Sequence, residues 1–69
     1  MKRPIDHVNR HVQVAARLTE IADTMLKHPL HRELVGNEKL AMLAVRQMVI
    51  DCAVNEVDIA NAIREEHNV

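Results

Sequence analysis

His7 and His11 stand four residues apart, the spacing that puts two side chains on one face of a helix and would let two imidazoles share a metal ion. His28 and His31 make a second, closer pair. A zinc site needs four ligands or three with a water, and no carboxylate or thiolate pattern accompanies either pair. The residues therefore point to no metal and no cofactor. His11 falls among apolar neighbours and is expected as a half-buried interface histidine. The other groups with chemical potential are Thr19, Thr24 and the single cysteine, Cys52. None has a base at a spacing that suggests an activated nucleophile, and all three read as packing residues. An enzyme is not expected.

The carboxylates offer more. From Ile50 to the end, five acidic residues face one basic residue, Arg64, whereas the first 49 residues hold eight bases and five acids. The acidic residues of this last segment include Glu56, Asp58, Glu65 and Glu66, which form a candidate surface for binding a basic partner. Complementary charge of that kind raises association rate and specificity.

The same segment contains AVNEVDIANAI, Ala53 to Ile63, which has the outline of a helix-turn-helix. Ala53, Val54, Asn55, Ile59 and Ala62 fill the positions for the turn and second helix, and Met48 and Cys52 fill the first. DNA affinity rests largely on Lys and Arg neutralising phosphates. A recognition helix carrying Glu56, Asp58, Glu65 and Glu66 against one Arg64 has the wrong sign. A helix-turn-helix regulator is thus the alternative reading, and direct nucleic-acid binding is not expected. The chain also lacks Phe, Tyr and Trp, so it has no platform on which single-stranded bases could stack.

These groups must be positioned by helices. Pro4 suits the first turn of a helix, where its missing N–H costs nothing. From Ile5 to Lys27, the helical repeat gathers Asp6, Asn9, Arg10, Gln13, Arg17, Glu20, Asp23 and Lys27 into one polar arc. The remaining circumference is apolar and wider than the stripe of about 100° that one neighbour covers. Asp6 with Arg10 and Asp23 with Lys27 are spaced for ion pairs one turn apart. Pro29 should end the helix near Lys27 by biasing His28 out of the helical region. Leu30 to Val35 can add one more turn, closed by Gly36 in a left-handed conformation, with Asn37 as N-cap of the next helix.

That next helix contains LAMLAVRQMVIDCAV, Leu40 to Val54, where only Arg46, Gln47 and Asp51 are polar. It is expected at the buried centre of the assembly. At Asn55 the helix either continues or breaks into a short third helix; NEVD permits both. The fold expected is all-α, an antiparallel helical hairpin with or without a third C-terminal helix, spanning residues 1–69 as one domain and assembled as a homodimer. A chain of 69 residues buries only about 60% of its unfolded surface, so a second copy supplies the missing core. Val12, Leu18, Ile21, Met25, Leu43, Ile50 and Val54 are the candidate residues for core and dimer packing. Met25, Met42 and Met48 are read as core filler, with an adaptable binding surface as the alternative. One cysteine without a signal peptide suggests a reducing cytoplasm, and no apolar run approaches the roughly 18 residues of a membrane span.

The turn HPLHREL, His28 to Leu34, and the segment LAMLAVRQMVIDCAVNEVDIANAI, Leu40 to Ile63, sit in a short chain with no aromatics and an acidic end. In size and layout the whole chain resembles the phage anti-quorum-sensing proteins, small helical anti-activators of temperate bacteriophages. The resemblance implies a helical homodimer, encoded by a phage, that binds a LuxR-type quorum-sensing activator at its DNA-binding domain and blocks DNA binding. It also implies a second host partner, the ATPase that extends type IV pili. It assigns no individual site residue.

Overall fold

The computed structural model describes residues 3–28 and 32–69. Its two long helices, α1 (Pro4–Lys27) and α2 (Gly36–His67), pack against each other as an antiparallel hairpin, and the described residues contain no strand. The molecule is a rod of 48 × 16 × 15 Å. Its length follows from α2 alone, whose 32 residues rise about 1.5 Å each.

Local chemistry sets the helix ends. Pro4 occupies the first turn of α1, and the Asp6 side chain reaches back to cap Arg3 in front of it. The Arg3 backbone N–H donates to Asp6 Oδ2 at 3.1 Å, and its guanidinium reaches the same carboxylate at 3.4 Å. Asp6 therefore turns back to Arg3 rather than forward to Arg10 as its spacing suggested, because Arg3 offers both an unsatisfied backbone N–H and its guanidinium, where Arg10 offers a guanidinium alone. Asp23 and Lys27, also spaced for pairing, form no ion pair among the described residues.

At the other end of α1, His28 is extended (φ −64°, ψ 134°) and donates its backbone N–H to Thr24 O at 2.9 Å. That is the conformation a following proline imposes. Pro29, Leu30 and His31 lie outside the described residues, so the extra turn expected from Leu30 is described only at Arg32 and Glu33, which are helical. Gly36 adopts φ +61°, as the turn requires. Asn37 is not the cap: α2 is bounded by Val35 and Gly36, and Val35 has no polar side chain to cap it. At the C-terminus, Asn68 takes the left-handed conformation that ends a helix (φ 55°), and its N–H meets Arg64 O.

Helix α2 continues through Asn55, so the hairpin has no third helix after that point and the helix-turn-helix outline lacks its turn. Asn costs only a few tenths of a kcal/mol inside a helix, less than the backbone hydrogen bonds a break would forfeit.

Candidate functional site

The seam between the helices repeats every seven residues. On α1, Val8, Ala15 and Ala22 are buried; on α2, Ala53 and Ala60 are. The intervening seam positions are half-buried: Pro4, His11, Leu18 and Met25 on α1, and Met42, Arg46, Val49, Glu56 and Ile63 on α2. Alternating steps of four and three are those of a coiled-coil seam. Alanine at its centre allows the two backbones to approach closely. Two polar contacts fix the register. His11 Nδ1 meets Glu56 Oε2, joining positions 45 apart in sequence. Nearer the turn, Arg46 Nε donates to Ala22 O at 3.1 Å.

These contacts redistribute the candidate residues. Glu56 is not an exposed carboxylate: its side chain is 24% exposed and is engaged by His11. Asp58, Glu65 and Glu66 are exposed. Asp58 and Glu65 belong to a row the sequence reading did not pick out. Asp51, Asp58 and Glu65 recur every seven residues along the back of α2, opposite the seam, and all three are exposed. Asp51 also accepts a hydrogen bond from Gln47 Nε2 at 3.0 Å. The seven-residue spacing was present in the sequence. Its meaning depended on a straight helix through Asn55.

Of the seven packing candidates, Leu18 and Met25 lie in the seam, and the other five divide between two opposite flanks of the hairpin. One flank is aliphatic. Val12, Thr19 and Leu26 of α1 line up beside Leu43, Ile50 and Val57 of α2, with Val54 next to them. A groove of about 250 Å³ on this side is lined by Ala15, Thr19, Ile50, Ala53, Val54 and Val57. The opposite flank carries Val14 and Ile21 of α1 beside Val45, Met48, Cys52 and Ile59 of α2. Near the turn it opens into a groove of about 570 Å³ lined by Glu20, Ile21, Thr24, Met25, His28, Leu34 and Met42. Within one chain, Val12, Ile21, Leu43 and Val54 are exposed, and Leu18, Met25 and Ile50 are half-buried. Cys52, expected as a packing residue, is exposed. Helix α2, expected at a buried centre, is covered by its own chain on one side only.

The flanks amount to a large apolar surface. Ile21, Val45 and Val54 are about half exposed, at 50, 51 and 55%, and Met48 reaches 65%. The chain exposes 5479 Å², whereas a folded monomer of its mass, 7.9 kDa, exposes about 4,400 Å². The excess, about 1,100 Å², is more than one partner contributes to a standard protein interface, about 800 Å².

Thr19 and Thr24 donate their hydroxyls at 2.9 Å to Ala15 O and Glu20 O of their own helix. His11 turns to Glu56 and away from His7, and the described residues include no cluster of three side chains able to hold a metal. The Arg3 backbone N–H, and then its side chain, hold the Asp6 carboxyl below the usual carboxylate range, at an exposed helix end that serves as a cap. Among the described residues, no helix is long and apolar enough to cross a membrane. No family model, curated protein or solved structure matches the chain.

Proposed function

We propose that the chain is a non-enzymatic, homodimeric protein-binding module that inhibits a host DNA-binding regulator by covering its DNA-binding domain. One observation carries this reading: a hairpin whose fully buried residues are alanines apart from Val8 leaves many of its larger apolar side chains on two exposed flanks, next to an acidic row. Apolar flanks of this size favour association with other protein surfaces. Carboxylates every seven residues favour a basic surface, and a DNA-binding domain supplies one. The resemblance to phage anti-quorum-sensing proteins makes the regulator a LuxR-type activator and adds the type IV pilus ATPase as a second partner. The chain would then be a phage product acting in the host cytoplasm. A direct DNA-binding role is disfavoured by the straight course of α2 and the sign of its exposed charges.

The test uses the purified DNA-binding domain of a LuxR-type activator and its operator duplex. The expected result is a discrete complex with the chain and release of the operator. If no complex forms at about 10 μM, a concentration that detects all but the weakest specific interactions, and the chain itself binds the duplex, the reading is wrong.

A further inference from the structure

The edges of the two flanks differ in charge. On α2, the row Asp51, Asp58 and Glu65 borders both flanks. On α1, the flank with Met48 is bordered by exposed Arg10 and Arg17, and the aliphatic flank by Asn9, Ala16 and Asp23. A two-fold contact pairs a surface with itself. Across the Met48 flank it can bring the arginines of one copy towards the carboxylates of the other. Across the aliphatic flank it would bring carboxylates together and offer no exposed cation row in return. Of the arginines of α2 nearest that flank, Arg46 donates to Ala22 O, and Arg64, exposed beside Asn61 Oδ1 at 3.4 Å, is a single cation against three carboxylates.

We propose that the aliphatic flank is the docking site for a basic amphipathic helix of a partner protein, and that the second copy of this chain occupies the Met48 flank. The inference rests on the protein-binding reading above and names the partner's chemistry. The incoming helix lies along the groove between α1 and α2. Its apolar side chains enter where Ala15 and Ala53 leave room, between Ile50, Val54 and Val57. Its lysines or arginines, spaced seven residues apart, face Asp51, Asp58 and Glu65. Helix-in-groove recognition supplies the apolar contact, and the charges supply orientation and encounter rate.

The probe is a fluorescein-labelled peptide about three heptads long, with leucine at the apolar positions and lysine beside them. Fluorescence polarisation with the full chain should show saturable binding that weakens as salt is added. Replacing lysine by glutamate in the peptide, or scrambling its order, should abolish it. Val54→Ser and the double reversal Asp51→Lys/Asp58→Lys should each weaken binding by about tenfold or more. Met48→Ser should leave it unchanged. These positions are exposed, and circular dichroism verifies the helices; if Val54→Ser fails to fold, the double reversal decides alone. The proposal is overturned by absent saturation, by equal binding of the scrambled peptide, or by Val54→Ser splitting the dimer. Complex formation with the LuxR-type domain that survives Val54→Ser and the double reversal removes this docking site and leaves the proposed function standing. Peptide binding as expected, without any complex with that domain, does the reverse.

Discussion

The seam and the flanks of this hairpin are built from different side chains. The seam buries alanines, and its one larger fully buried residue is Val8; the flanks carry Leu, Ile, Val and Met in the open. Small side chains let two helices approach until backbone and Cβ atoms supply the dispersion contacts, but they remove little apolar surface from water. The intrachain contact is therefore geometrically specific and energetically thin. The larger exposed apolar side chains of this chain lie on the flanks, outside that contact.

The sharpest way to break that comparison is to charge a flank. With the second copy on the Met48 flank, Ile21→Glu buries an unpaired carboxylate and should cost about 3–5 kcal/mol. A chain of this size would then lose both its dimer and its helices. Sedimentation and thermal melts read both, and the wild-type melting temperature should rise with protein concentration. A variant that remains a folded dimer would show that this flank is not the interface.

Enlarging the seam tests the other half. Ala53→Leu forces the helices apart and should destabilise by about 1–3 kcal/mol through overpacking, even though it adds apolar surface. Denaturant titration measures this, and a stabilised variant would mean that the close alanine contact is not what holds the pair.

The polar register contact should be worth less. Glu56→Ala leaves His11 half-buried without its partner and is expected to cost about 1–2 kcal/mol. Asp58→Ala, two residues away on the exposed back, should stay within about 0.5 kcal/mol. Equal effects at the two positions would dissolve the distinction between a seam carboxylate and a docking one. Gly36→Ala should fall in the same range, about 1 kcal/mol. A methyl group there meets nothing within 4 Å, so the cost is that of the left-handed backbone alone.

The smallest effect belongs to the N-terminal cap. The Asp6 carboxyl is held below its ordinary range when folded, so its stabilisation is present at neutral pH. It is lost as pH falls below the usual carboxylate range, through the lowered folded value at which the carboxyl takes up a proton. Amide exchange in the first turn of α1 should quicken there, after correction for the intrinsic pH dependence, while the α2 amides near Asn68 keep their protection. Uniform loosening of both ends would assign the change to the whole fold.

The features legible in the sequence are those whose causes lie within a few residues. Pro4 and Pro29 bracket α1, Gly36 supplies the left-handed turn, and the polar arc of Ile5 to Lys27 marks a helix with a wide apolar surface. An all-helical hairpin follows from those facts, because each acts through local sterics or a single helical repeat. Acidity after Ile50 was equally plain.

Only the tertiary structure decided which apolar face each helix spends on the other. A helix apolar over most of its circumference offers several faces, and periodicity alone does not rank them. Side-chain size and fit against a specific neighbour do, and here they put alanines at the most deeply buried seam positions, with Leu18 and Ile63 only half-buried between them. The same holds for Glu56, whose neighbours in the sequence mark it as an exposed acid and whose actual partner, His11, lies on the other helix. Residues far apart in sequence meet only once the register of the hairpin is set. That register depends on the packing of both helices together, which no local segment encodes.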